Sequence, residues 1–104
     1  MERVAFRIRL RPGMQDEYKK RHDNLWPEMT EVLNEAGIHN YTIWNVENDL
    51  FGYYETSDSA YSNSVLANSA VVDRWNRYME AVIVFDIDSK TGTLPEMKLV
   101  FYHK

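Results

Sequence analysis

The sequence predicts an α+β domain of β-α-β-β-α-β order, with an antiparallel sheet carrying helices on one face. Three patterns predict it. Strict alternation opens the chain, helical spacing governs residues 14–36 and the stretch up to residue 82, and two strand-like runs flank a short polar turn between them.

Val4, Phe6, Ile8 and Leu10 alternate with Ala5, Arg7, Arg9 and Arg11, as in a strand with one buried face. Pro12-Gly13 ends that strand and turns the chain. An apolar stripe then runs through Met14, Tyr18, Leu25, Trp26, Met29, Val32, Leu33 and Ala36. Pro27 interrupts it, because proline lacks a backbone donor and clashes with the preceding turn. The expectation is a break near Asn24 to Trp26, with Pro27 opening a second helix at its first position. Gly37 stands where that helix needs a residue tolerating left-handed geometry.

Tyr41 to Val46 and Leu50 to Thr56, separated by Glu47-Asn48-Asp49, read as a hairpin. Tyr41, Ile43 and Tyr54 fall on one side of it, and Trp44, Val46, Phe51 and Tyr53 on or near the other. Helices on one face would leave the second face wet, so a homodimer packed through the sheet is expected, with Trp44 and Tyr53 in the interface. Ser57-Asp58-Ser59 offers helix caps ahead of Tyr61, Val65 and Leu66. Asn68-Ser69 restarts a helix carrying Val72, Trp75, Met79 and Val82. Asp86 to Pro95 is polar and turn-rich, and Met97 to Tyr102 resumes strand alternation. The order is that of ferredoxin-like domains. One domain spanning residues 1–104 is expected, with no internal repeat and no linker.

Composition narrows the function. A net charge of −4 lacks the basic excess of a nucleic-acid binder. The absence of cysteine excludes disulfides and thiolate metal sites. No apolar run approaches the roughly 18 residues that span a bilayer, and the first residues do not resemble a signal peptide. A soluble cytoplasmic protein is the expectation. Aromatic residues make up 13% of the chain, including 7 Tyr and 3 Trp, and rings with polar edges suit interfaces and sugar pockets alike.

The most chemically loaded stretch is Tyr18 to Pro27. Residues four apart share a helix face, so Tyr18, His22 and Trp26 form one row on the side facing the core, with Lys19 to Arg21 turned mostly outward. A histidine titrates near neutrality and suits general acid–base work. The same pattern also fits a core or rim histidine bonded to a backbone carbonyl. Other motifs fail. Asp86-x-Asp88 with Gly92 is no calcium loop, since the glycine is one position late and Met97 stands where a glutamate should. His22, His39 and His103 lie on separate elements without zinc spacing. There is neither a phosphate-cradling loop nor a nucleophile elbow. The inventory favours proton transfer on a small neutral polar ligand.

Taken together, Tyr18-x3-His22-x3-Trp26-Pro27-Glu28, His39-Asn40-Tyr41, Arg74-Trp75-x2-Tyr78-Met79 and Phe101-Tyr102 resemble the L-rhamnose mutarotase family nearly from end to end. The resemblance implies a dimeric α+β barrel that interconverts the α and β anomers of L-rhamnose without a cofactor. It implies His22 as proton donor, with Tyr18, Tyr41, Trp75 and Asn76 at sugar-binding positions. The family often carries a second tryptophan after the first, where this chain has Asn76. An amide bonds a hydroxyl but cannot stack on a pyranose. On this reading Trp75, with Trp26 as a second candidate, supplies an apolar platform for the sugar. Two rivals stand beside it: a cofactor-free monooxygenase or lyase of similar architecture, and a dimeric binding module without catalysis.

Overall fold

Alternation at the start of the chain becomes the middle of a sheet. In a computed structural model that describes residues 1–85 and 96–104, β1 (Glu2–Leu10) pairs antiparallel with the later strand of a hairpin made of β2 (His39–Val46) and β3 (Asp49–Thr56). On its other side β1 pairs with two short strands, β4 (Ile83–Val84) near its end and β5 (Glu96–Met97) near its middle. The sheet order is β2-β3-β1-β4, the split order expected from the sequence. Cross-strand partners share a face. Ile8 opposite Leu50 and Leu10 opposite Ile83 therefore point inward together, while Arg7 opposite Phe51 and Arg9 opposite Asp49 point outward.

Four helices lie between the strands among the described residues. α1 (Gln15–Asp23) and α2 (Pro27–Glu35) come from the single broken stripe, and Pro27 is the first residue of α2 as expected. Ala36 caps α2 and Gly37 follows at φ +74°, where a side chain would be strained. Asp58 caps α3 (Ser59–Ala67) by accepting from the Tyr61 amide at 3.1 Å. Ser69 does the same for α4 (Ala70–Met79) through the Val72 amide at 3.2 Å. None of the described helices is long and apolar enough to cross a membrane.

The helices pack their apolar sides on the inward face of the sheet. The main cluster joins Ile8, Leu10 and Leu50 to Tyr18, Met29, Trp75, Met79, Val82 and Ile83. Leu10, Leu50, Met79 and Val82 are almost completely buried, and each full burial is worth about 1.5–3 kcal/mol. A second cluster holds Ala36, Ile38 and Tyr54, and Phe6 packs against both. Below it the Ser62 hydroxyl donates to the Ala36 carbonyl at 2.6 Å and lies 2.7 Å from the Thr56 hydroxyl, so the two buried polar side chains satisfy each other.

Three expectations are corrected. The strand expected over Met97 to Tyr102 is confined to Glu96–Met97, and residues 98–104 have no regular structure. Alternation alone does not make a strand; a ladder partner does, and among the described residues only Glu96 and Met97 of this run have one, in Phe6 and Ala5. The last helix stops at Met79, so Val82 joins the core from the turn that leads into β4. Arg21 does not point outward with Lys19 and Lys20: its side chain is only 16% exposed. The polar stretch expected at Asp86 to Pro95 lies outside the described residues.

Candidate active site

The helical spacing of four brings Tyr18 and His22 into contact on α1. Their rings stack at a centroid distance of 4.2 Å, inclined by 30°. The His22 Nδ1 lies 3.1 Å from the Tyr18 carbonyl oxygen. A carbonyl only accepts, so Nδ1 carries the hydrogen and Nε2 is the nitrogen left for chemistry. Burial lowers the His22 pKa below its ordinary value, opposed by that hydrogen bond and by the Asp23 carboxylate. Thus a histidine bonded to a backbone carbonyl and a histidine with a nitrogen available for proton transfer are compatible in one arrangement, since the bond that orients the ring leaves its second nitrogen out of that contact.

α4 supplies the wall opposite. Trp75 meets the imidazole edge-on at 5.4 Å and Trp26 edge-on at 5.0 Å. Tyr78, one turn further on, contacts both indoles, at 5.5 Å from Trp26 and 5.6 Å from Trp75. Trp75 is only 7% exposed, so it serves as a wall of the core beside His22 rather than an open platform. Asn76 is exposed, beside the buried stripe of α4.

The sheet contributes a group of rings from the other side. Tyr41 reaches the inward face of β2, 6.2 Å from Phe6 and 5.5 Å from Tyr54. Just before it the ladder is irregular: Asn40 adopts φ +51°, and His39 pairs with Glu55 while Thr42 pairs with Tyr53. Asn40 suits that left-handed position and donates to Glu55 Oε1 at 2.6 Å. The residue as a whole is 37% exposed, yet the Tyr41 phenol is desolvated beside those of Tyr18 and Tyr54, and this pushes its pKa up. Burial pushes the Tyr18 phenol up as well. Both phenols hold their protons and so present hydrogen-bond donors.

Tyr18, His22, Tyr41 and Trp75 thus converge between α1, α4 and the inward face of the sheet, while Asn76 is exposed on α4 and is not brought into this cluster. Two surface grooves open on the helical layer, one along Val32, Glu35 and Asn68 and one along Glu17, Lys20, Arg21, Asn24 and Tyr78, which meets the aromatic cluster at its Tyr78 edge. Neither is lined by those five residues, and the chemistry points to the aromatic cluster instead. Residues 3–103 match the family described as L-rhamnose mutarotase. The chain belongs to that family. The L-rhamnose mutarotase of Listeria monocytogenes serotype 4b is 41% identical over 98% of both chains. That of Sinorhizobium fredii is 38% identical, again over 98% of both. The crystal structure of L-rhamnose mutarotase from Formosa agariphila superposes with a TM-score of 0.82, at 31% identity and full coverage of both chains. Tetracenomycin F2 cyclase from Streptomyces glaucescens, at 12% identity and a TM-score of 0.71 over 100% of this chain and 98% of its own, shares the fold alone.

Within this member of the mutarotase family, sequence reading put Phe6 on the buried face of β1 and Tyr54 on the same side as Tyr41, but it passed over Gly52 and turned Arg21 outward. Gly52 was the legible one: a lone glycine between Phe51 and Tyr53 in a strand signals close approach of another group. Phe6 is that group, with its ring lying over the glycine.

Proposed function

We propose that this chain is an isomerase that interconverts the α and β anomers of L-rhamnose by opening and reclosing the pyranose ring, with His22 as the proton donor. The observation that carries the reading is the oriented imidazole: Nδ1 is tied to the Tyr18 carbonyl, and the ring is held between Tyr18 and Trp75. Protonated His22 gives the Nε2 proton to the ring oxygen as the C1–O5 bond breaks, and the anomeric hydroxyl loses its proton to a second acceptor. The C1–C2 bond of the open aldehyde turns, and both proton transfers reverse as the ring closes on the other face. No proton is consumed and no atom changes oxidation state, so acid–base groups are sufficient for the cycle. The Tyr18 and Tyr41 phenols donate to sugar hydroxyls, Trp75 excludes water from the imidazole, and the Asn76 amide bonds a hydroxyl at the rim.

The same reading includes a cytoplasmic homodimer of one-domain subunits. The outward face of the sheet supports the dimer: Trp44 is 68% and Val46 62% exposed there, beside Phe51 and Tyr53. A partner laid on that face leaves the His22 side free.

Exchange NMR on L-rhamnose tests the activity. Wild-type protein is expected to accelerate α/β exchange, and His22→Ala to lose about 10²- to 10⁴-fold of that acceleration while remaining folded. A folded His22→Ala that keeps its rate removes the assigned donor, and a wild type that accelerates no aldose leaves the binding-module alternative.

A further inference from the structure

Among the described residues the His22 side chain hydrogen-bonds only to its own helix, through Nδ1, so its place in the site depends on how α1 sits against the rest of the molecule. α1 is a weakly anchored element. It has nine residues, Tyr18 is its one buried residue, and its N-cap Met14 makes no side-chain capping bond. Besides Tyr18 in the core, what holds it are side chains that reach out. At the first turn, Gln15 Nε2 donates to the Glu47 carbonyl in the hairpin turn at 2.9 Å. At the last turn, Arg21 crosses to α4.

The Arg21 contacts are specific. Nη1 donates to the Tyr78 carbonyl at 2.6 Å, one of the carbonyls that the end of α4 leaves without a helical partner. The guanidinium also lies over the Tyr78 ring, 4.1 Å from its centre. Nε is buried with no hydrogen bond, 3.8 Å from Glu17 Oε1 one turn back. Tyr78 touches Trp75, and Trp75 touches His22. A closed circuit of contacts therefore runs from Arg21 through Tyr78 and Trp75 back to His22, the next residue in the chain.

We propose that Arg21 is the positioning residue of this site: by fastening the last turn of α1 to the end of α4, it sets the His22 imidazole against Trp75. The inference rests on the mutarotase reading for its kinetic consequence and on the contact circuit for its geometry. Misplacement of an acid by about 1 Å is enough to cost on the order of 10²-fold in rate. A planar fork that both donates and stacks suits this task in a way an ammonium does not.

The test compares Arg21→Ala and Arg21→Lys with wild type, measuring L-rhamnose exchange across sugar concentrations together with the ring resonances of His22. Arg21→Ala is expected to lower kcat by about 10- to 100-fold with KM changed less than about threefold. The His22 resonances should move, and millimolar guanidinium should restore part of the rate. Arg21→Lys, which can reach the carbonyl but cannot stack, should fall between the two. A folded Arg21→Ala with kcat within about twofold of wild type overturns the proposal, and so does a fall in rate with His22 resonances unmoved. If Arg21→Ala does not fold, Arg21→Lys decides: wild-type kcat there overturns the proposal, and a partial loss with shifted His22 resonances supports it. A wild type inactive on L-rhamnose defeats the functional reading alone, because the His22 resonances still report whether Arg21 sets the ring.

Discussion

Gly52→Ala is the smallest change that tests how the sheet side of the site is built. A Cβ at this position would run into Phe6 Cζ and stand 2.6 Å from Cε2 and 2.8 Å from Cε1. Carbon atoms prefer about 3.5–4.0 Å, so the ring must retreat by roughly 1 Å or more. Phe6 is partly buried against both core clusters and lies 6.2 Å from Tyr41 and from Tyr54, so its retreat presses on both tyrosines. Overpacking of this kind costs about 1–3 kcal/mol. The lower half of that range is expected, because the crowded atoms are the far end of a side chain and loss of glycine freedom in the unfolded chain returns about 0.4–1 kcal/mol. Shortening the intruder should relieve the clash. Phe6→Leu removes the crowding ring carbons, so urea melts of Gly52→Ala, Phe6→Leu and the double variant should show a coupling of about 1 kcal/mol or more in the restoring direction. Exchange NMR on the same proteins should show Gly52→Ala raising KM through Tyr41 more than it lowers kcat through His22. Additive stabilities in the cycle, or a Gly52→Ala protein as stable as wild type, would refute the assigned contact.

Further outcomes follow from the same geometry. The lowered His22 pKa means that the unfolded chain, titrating near 6.5, binds more protons than the folded one between the two values. The histidine therefore leaves stability intact above about pH 6.5 and removes it as pH falls toward the folded value; urea midpoints followed downward from pH 7.5 should fall more steeply in wild type than in His22→Gln. The protonated donor becomes scarcer as pH rises through that window, so kcat should decline on its alkaline side, and a kcat that climbs instead would make His22 a base. Ser62→Ala strips the Ala36 carbonyl and the Thr56 hydroxyl of their shared partner and should cost about 1–3 kcal/mol in a thermal melt without touching exchange kinetics. Asn40→Val places a β-branched residue at φ +51° and should cost about 1–3 kcal/mol, whereas Asn40→Gly should be tolerated.

Much of the fold was legible because it rests on local rules. Alternation from Val4 to Leu10 marked β1, Pro27 marked the start of α2, and Gly37 marked its end. The row Tyr18, His22, Trp26 was legible for the same reason: helix spacing is a property of the chain itself. What escaped depended on partners distant in sequence. The alternating run after Met97 reads as a strand, yet strands exist only where a ladder partner is present. Arg21 reads as a solvated cation within a basic run, and nothing in its neighbours announces that the end of α4, 57 residues on, presents a carbonyl and a ring to it. Trp75 on a helical stripe reads more readily as core than as platform, and its burial with Trp26 and His22 edge-on to it depends on partners from other elements.

These failures share a cause that bears on the chemistry. A helix with a broad apolar face is docked by its own pattern, and sequence shows it. α1 lacks such a face because two of its inward positions are given to Tyr18 and His22, groups with polar atoms to satisfy. Its docking is therefore delegated to long polar side chains at either end, Gln15 to the hairpin and Arg21 to α4, contacts that no periodicity announces. The segment that carries His22, the proposed proton donor, is held by these hydrogen bonds and by the burial of Tyr18. Such bonds contribute only about 0.5–3 kcal/mol each, so α1 can yield locally at little cost to the fold while the sheet and α2 to α4 stay intact. Hydrogen exchange offers the decisive comparison: amides of α1 should open well before those of β1 and α4, and equal protection would mean that α1 is core after all.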